Sequence, residues 1–576
     1  MDVQEENDSC LHGNDERVNM IDFTKAVRRY WTQFLAVFTA SLGPISNGME
    51  FGWASPAVPI LSNSSSQLQL THDDSFWVET LYIIGGVCGL PVTFVLLQYL
   101  GRKKSLIASE CVSVICWVLV ATSSSVSQLL AARFISGMAA NIIFVGLPMY
   151  TAEISEPAIR GFLGSFVYIM SIFGILLSYS VIPFMPIYAS SIIGGCICLS
   201  MILTFSWQPE SPYYLLLKGR KDQARAELER LRFTDNIDAE LDEISKAVER
   251  QNAERGRPID LISSPSNRKA ILVMTVLNTA QNFCGMTVIT MNAQSILQSS
   301  GTVSSIELSA ILFGLTMFLS SVLGSVLIDK FGRKFLLISS TLLASIFLAI
   351  LTGFFIAKDE LGADTDGYTW IPFFATIAYA FAFKYGMGLV PIIVTAELFP
   401  TSVKSMGMVL SDMWFTVSAT LSIKLYYATS ISMGMYFPMT IFCCFGIFTV
   451  FFVHFYIPET KGKTLEEIQM ILKGKATKEP HAPLAEYRVN SVRPRVGRHG
   501  QIAGYRGTRH TACSTTGLVP PILENYTAPL APDLECIDNN RNAGDLHLLT
   551  TTRVYQLKTI DSDSGRGGGD LIVNCR

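Results

Sequence analysis

The sequence predicts an all-α membrane protein: twelve transmembrane helices in two pseudo-symmetric six-helix bundles. Three observations predict it. Charged residues are only 16% of the 576-residue chain against 49% hydrophobic, where a soluble domain carries about 25% charged residues. Twelve apolar runs each reach the roughly 20 residues needed to cross a hydrocarbon core. A short vocabulary is also written twice, in the same order, at the ends of such runs. Gly101-Arg102-Lys103 returns 231 residues later as Gly332-Arg333-Lys334, Ala152-Glu153 returns 244 later as Ala396-Glu397, and Pro209-Glu210-Ser211 returns 249 later as Pro458-Glu459-Thr460. A repeat of this size means two related membrane halves with a site between them.

In chain order, residues 1–32 are a polar N-terminal tail, with no cleavable signal peptide expected. The first bundle, 33–206, holds spans near 33–60, 76–97, 104–122, 126–149, 161–183 and 186–206. A charged linker, 207–267, follows. Within it Ala224, Leu228 and Leu231, and then Leu241, Ile244 and Val248, fall at helical spacing. Those stripes predict two short amphipathic helices that pack under the halves as a latch, where a solvated connector would need no apolar stripe. The second bundle, 268–457, holds spans near 268–298, 305–328, 334–356, 370–398, 405–428 and 434–457. Residues 458–576 form a C-terminal tail. From about 475 it is polar, scattered with Gly, Pro, Ser and Thr, and without sustained period, so it reads as largely disordered, regulatory or passive.

Orientation follows from Lys and Arg. Arg17, Lys25, Arg28 and Arg29 precede span 1, Arg102, Lys103 and Lys104 follow span 2, and Lys330, Arg333 and Lys334 follow span 8, while the 61–75 loop has no cation. Cations stay on the cytoplasmic side, so both termini are expected inside. Of the glycosylation sequons, Asn63-Ser64-Ser65 alone then falls outside; those at Asn7 and Asn525 lie on cytoplasmic tails. Eight of twelve cysteines lie in spans and none in an outer loop, so no disulfide framework is expected. The seven histidines show no metal spacing. A net charge of −3 makes no case for nucleic acid. There is no nucleophile–base set, phosphate loop or metal cluster, so an enzyme, a cofactor and a metal are not expected. The bilayer is the expected partner, and the chain is expected to act as a monomer.

The motifs resemble the sugar porters of the major facilitator superfamily. The matching pieces are YLGRKK at 99–104, RFISG at 133–137, PMYTAEISEPAIRG at 148–161, PESPYYL at 209–215, IDKFGRK at 328–334, TAELFPTSVKSMG at 395–407 and PETKGKTLEEI at 458–468. They span nearly the whole membrane domain. Gly52-Trp53-Ala54-Ser55-Pro56-Ala57 in span 1 is similar to the arthropod facilitated trehalose transporters. The resemblance implies the major facilitator fold, a central cavity for a small sugar, and alternating access.

The repeated cations and acids predict a gate. Arg102, Arg133, Arg160, Arg333 and Lys404, with Glu153, Glu210, Asp329, Glu397 and Glu459, are expected at the cytoplasmic helix ends. Crossed ion pairs between bundles would hold the inner mouth shut, each exposed pair contributing only about 0–1 kcal/mol. The alternative is plain positive-inside topology with incidental acids. Gln98 stands where the second copy has Asp329, which weakens the first-half latch.

The resemblance also implies a binding stripe, and this chain departs from it. On span 7 Gln281 keeps the first amide, Asn282 replaces a second Gln, Thr287 takes the third polar place, and Asn292 stands at an aromatic position. Tyr168 replaces a span-5 Gln. After Gly388 of span 10 the expected Trp is absent, and Trp414 of span 11 lies near a position where the family often has Asn-Trp. At 3.6 residues per turn Asn292 falls within roughly 20° of Gln281 and Asn282 within roughly 100°. The alternative is helix–helix bonding inside a bundle, about 0.6 kcal/mol per bond.

Three further charges lie inside spans: Glu50, Lys384 and Asp412. Charges there are costly and mark function or a buried pair. Lys384 and Asp412 stand on adjacent spans, about 10 Å apart in depth by helical rise. The acid that the family's proton-coupled members carry two residues after the span-1 Gly is Ala54 here, with Glu50 a turn away. The reading is therefore a plasma-membrane facilitative carrier for a small carbohydrate, trehalose or a hexose. The alternatives are a proton-coupled symporter using Glu50 and a non-transporting sugar sensor.

Overall fold

The computed structural model describes residues 28–63, 68–232, 237–253, 259–299, 305–400, 403–461 and 465–472. The disordered reading of the C-terminal tail falls outside them. All regular elements among the described residues are helical. Among the described residues ten helices are long and apolar enough to cross a membrane: span 2 (His72–Tyr99), span 3 (Arg102–Ala121), span 4 (Val126–Ile154), span 5 (Pro157–Val181), span 6 (Ile187–Phe205), span 7 (beginning at Pro265–Phe283), span 8 (Ile306–Phe331), span 9 (Arg333–Asp359), span 11 (Lys404–Ser432) and span 12 (Tyr436–Tyr456). Spans 1 and 10 complete the twelve, but in pieces. A belt of exposed apolar side chains, among them Phe94, Leu203, Leu319 and Phe451, is the surface a bilayer would cover.

The breaks of spans 1 and 10 have a common cause. Proline cannot donate to the carbonyl four residues back and clashes with it. In span 1, helical residues 28–40 give way to Leu42–Gly52 and then Ala54–Leu61. Pro44 and Pro56 fall four residues after Ala40 and Gly52, where the pieces end. In span 10, Trp370–Lys384 is separated from Val390–Leu398, and Pro391 falls four residues after Met387, inside the gap. Span 7 breaks differently. Gly285 takes φ +89°, open to glycine, and the helix resumes as Met286–Met291 and Ala293–Ser299. The sequence expected each of these three as one run.

Within the first half, spans 1 and 5 cross where a Cβ on Gly48 would lie 1.9 Å from the Ser171 carbonyl and one on Gly174 2.0 Å from that of Ile45. Only hydrogen fits at such a crossing. The halves meet along two pseudo-symmetric seams, span 5 on span 8 and span 2 on span 11, with the broken spans 1 and 7 between them. The linker forms helices Pro212–Leu217, Lys221–Arg232, Asp238–Ala253 and Asp260–Ser263. Ala224, Leu228, Leu231, Leu241 and Val248 are buried. Leu231 joins the core of the first half and Arg232 donates to the Ile154 carbonyl at 3.0 Å, while Leu261 of the last linker helix packs with the start of span 7, so the element is anchored on both halves.

Candidate gates and central site

At the end of the molecule carrying the repeated motifs, the two halves build the same constellation twice. Arg102 pairs with Glu153 at 2.8 Å, and Arg333 with Glu397 at 3.1 Å. The Ser211 hydroxyl donates to Glu153, and that of Thr460 donates to Glu397 at 2.5 Å. Glu210 accepts the backbone N–H groups of Arg102 and Lys103, both at 3.1 Å. Glu459 accepts those of Arg333 and Lys334, both at 3.0 Å. These are the unsatisfied first donors of spans 3 and 9, where an anion is stabilised by the helix end. Gly101 and Gly332, at φ +94° and +86°, let the acids approach: a Cβ would stand 2.7 Å from Glu210 and 2.8 Å from Glu459 oxygens.

The expected crossed pairs between bundles therefore meet a different geometry. Both described motif pairs close within one half, and Glu210 and Glu459 cap helices. Arg160 is exposed and donates to the Ser155 carbonyl at 3.1 Å; the side chains of Asp329 and Lys404 lie outside the described ones. Arg133 is a correction. It sits seven residues into span 4, which reaches the motif end only at Ile154, so it belongs to the opposite end of the molecule. The spacing argument missed Glu156, which accepts from Gln33 at 2.6 Å and from Arg29, tying span 1 to the start of span 5.

At the centre lie the breaks of spans 7 and 10. Gln281 donates to the Met387 carbonyl at 3.1 Å, the acceptor that Pro391 leaves empty. Asn282 is fully buried and spends its amide within the second half. It donates to the Asn278 and Phe415 carbonyls, both at 3.1 Å, and to Ser418 at 2.8 Å, and accepts from Thr287 at 2.6 Å. With Asn278, which donates to Ser411 at 2.7 Å, it bolts span 7 to span 11. Trp414, 38% exposed, donates to Thr279 at 2.9 Å and adds to that seam. Tyr168 reaches from span 5 onto Gly388, where a Cβ would meet its hydroxyl at 2.6 Å. Lys384 is buried and forms no pair with Asp412.

Asn292 lies away from that centre, at the far end. It donates to Glu79 at 3.1 Å, and Tyr427 donates to Glu79 at 2.8 Å and to Asn292 at 3.3 Å. The backbone N–H of Gln294 donates to Ser55 at 3.2 Å, and the Tyr179 hydroxyl donates to the Thr290 carbonyl. These bonds join the halves, as do the rings of Phe76 and Tyr427 and the ammonium of Lys424 over Phe76 at 4.5 Å. The far mouth is closed.

Behind this closure the first half buries a charge cluster. The Arg133 guanidinium lies 4.6 Å from the Tyr82 ring centroid and 5.5 Å from that of Trp53, and donates to the Glu50 carbonyl at 2.7 Å. The carboxylates of Glu50 and Glu110 are buried and form no hydrogen bond of ordinary length among the described residues; Arg133 and Ser136 act on Glu50, and Cys198 on Glu110. Glu79 and Glu110 fall inside the expected spans 76–97 and 104–122, so the rule that flagged Glu50 would have found both.

Residues 36–472 match the family model described as "Sugar (and other) transporter". The chain is similar to the facilitated trehalose transporter Tret1 of Bombyx mori, 29% identical over 448 residues, 77% of this chain and 87% of that protein. It is also 29% identical to Tret1 of Aedes aegypti over 450 residues, but spans only 56% of that protein's length. The fold is similar to solved structures of the xylose transporter XylE from E. coli. An inward open conformation aligns at TM-score 0.63 and 22% identity, over 76% of this chain and 99% of that one. The proton:xylose symporter XylE bound to 6-bromo-6-deoxy-D-glucose aligns at 0.63 and 21%, over 77% and 100%.

Proposed function

The chain belongs to this sugar transporter family, and from that premise we propose that it carries a small carbohydrate, trehalose or a hexose, down its gradient by alternating access. The observation that carries the reading is the asymmetry of the contacts between halves: bonds close the far mouth, while the described motif pairs at the other end, Arg102–Glu153 and Arg333–Glu397, each lie within one half. A carrier must be able to exchange these arrangements, and the few inter-half bonds at the far end keep two states within a few kcal/mol. The bundles 33–206 and 268–457 are the moving bodies, the motif end and both termini face the cytoplasm of a plasma membrane, and a monomer suffices. The sugar binds at the broken centre of spans 7 and 10, near Gln281 and Tyr168. The test is uptake of labelled trehalose and glucose into proteoliposomes; no uptake by folded protein sinks the reading.

One observation favours a second reading. Glu50 and Glu110 bury two carboxylates near one another in the first half, with Arg133 the one cation of the described residues that acts on Glu50, a costly arrangement where no proton is handled. Uptake that rises with an inward proton gradient and falls in Glu50→Gln identifies a symporter.

A further inference from the structure

The central break holds two polar groups, neither of which meets a carboxylate of a described residue. Lys384 ends the first piece of span 10 and is 8% exposed. Tyr168 comes from span 5 in the opposite half, and its hydroxyl is buried with no hydrogen bond of ordinary length; the side chain that acts on it is Ser321 of the neighbouring span 8, whose own proton goes to the Met317 carbonyl at 2.7 Å. Both groups converge on the bare face of Gly388: a Cβ there would lie 2.6 Å from the Tyr168 oxygen and 3.2 Å from Lys384 Cδ. The Lys384 ammonium is 5.7 Å from the Tyr168 ring centroid.

Local structure does not account for the lysine. Two carbonyls of the last turn have other donors: Phe381 accepts from the Tyr385 N–H at 3.4 Å and Phe383 from that of Gly388 at 2.9 Å. Met387 accepts from Gln281. No carboxylate of a described residue acts on the ammonium. A buried ammonium with only an aromatic ring beside it and no carboxylate is costly, and so is a buried phenol short of a well-made bond. One anion with two or more oxygens satisfies both groups at once.

The geometry points to an anion-binding position between Lys384 and Tyr168, and the ligand it selects is a carbohydrate bearing a carboxylate or a phosphate. This rests on the reading of the chain as a sugar carrier and moves its substrate class from the neutral sugars to an acidic one. An anion held there bonds to both halves, so its binding also draws span 5 towards span 10.

The test is titration calorimetry on the purified full chain with glucose, glucuronate, glucose 6-phosphate and inorganic phosphate, alongside uptake of the three sugars into liposomes. One of the two acidic sugars should bind about 10- to 100-fold more tightly than glucose, the range of a charge-assisted bond. Glucuronate ahead identifies a carboxylate site, and glucose 6-phosphate ahead a phosphate site. Lys384→Gln should bring the ratio of acidic to neutral affinity to about one, and Lys384→Arg should keep most of it. Tyr168→Phe should lower the ratio by several-fold; it leaves the lysine in place, so it reports even where Lys384→Gln does not fold. Equal affinity for glucose and both acidic sugars, or a ratio unchanged in the variants, overturns the proposal while glucose uptake leaves the carrier reading standing. Inorganic phosphate binding as tightly as glucose 6-phosphate overturns the assignment to a carbohydrate. A folded protein that binds and carries none of the sugars overturns both.

Discussion

Tyr427 of span 11 donates a 2.8 Å hydrogen bond to the buried carboxylate of Glu79 in span 2, so one acid ties the second half of the chain to the first. Asn292 closes the triangle from span 7. These bonds exist only while the far mouth is shut. A hydrogen bond to a charged group contributes about 1.5–3 kcal/mol, so Tyr427→Phe should shift the balance towards an open far mouth by roughly 10-fold or more. A cysteine at Ala57, now buried in span 1, should then label faster from the far side than in the wild-type background. Equal labelling would show that Glu79 is a passenger at the seam.

The amides of span 7 should separate by phenotype. Asn282 is enclosed and fully bonded within the second half, so Asn282→Ala leaves several partners unpaired at about 1–3 kcal/mol each. It should lower the unfolding temperature and the yield without altering which sugar is preferred. Gln281 faces the break of span 10, and Gln281→Ala should weaken sugar affinity by roughly 5- to 150-fold, the range of one unmet bond. Sugar competition and thermal unfolding on both variants decide it. A selectivity change in Asn282→Ala with normal stability would reverse the assignment.

The fold was legible because its signals are long: apolar runs, a cation bias and motifs repeated at one offset survive any local irregularity. The breaks were marked by Pro44, Pro56, Pro391 and Gly285, but an apolar run reads the same whether the helix within it is whole or broken. Equivalence between the halves was legible; partner choice was not. Glu210 and Glu459 look like gate anions beside arginines, and only the positive φ of Gly101 and Gly332 shows that they reach backbone N–H groups. Asn292 sits on the same helical face as Gln281 by count, but the turns at Gly285 and Asn292 end that count. Arg133 was misplaced because a motif was read without asking which end of span 4 it occupies.

The two capping acids should respond to pH with opposite sign. At Glu459 burial pushes the carboxyl up but is outweighed by the backbone N–H groups of Lys461, Arg333, Lys334 and Thr460, which hold it below its usual 4.5. At Glu210 burial wins over the N–H groups of Ser211, Lys103 and Arg102, and the carboxyl is raised. A lowered folded value gives stability that is present above the unfolded value and lost as pH falls through the folded one; a raised value gives stability present below the unfolded value and lost as pH rises through the folded one. Glu459→Gln should therefore lose more thermal stability at pH 7 than near pH 4, and Glu210→Gln should move the other way relative to wild type. Melting curves of the three proteins across that range would count against the capping account if both variants shift together.

Which mouth is closed in physical terms depends on which side each end faces, and Asn63 reads that out. It is exposed, one residue beyond the Ser62 cap of Ala54–Leu61, at the same end of the molecule as the Glu79–Tyr427 bond. On the cation bias this end is expected outside, where Asn63-Ser64-Ser65 would meet the glycosylation machinery and the Asn525 sequon would not. In a eukaryotic host Asn63→Gln should abolish the endoglycosidase-sensitive mobility shift and Asn525→Gln should leave it. That pattern makes the closed mouth the outer one, and the Glu79–Tyr427 bond an extracellular gate. A shift that survives Asn63→Gln but not Asn525→Gln would invert the molecule, making the same bond an inner gate and placing the Arg102–Glu153 and Arg333–Glu397 pairs on the outer surface.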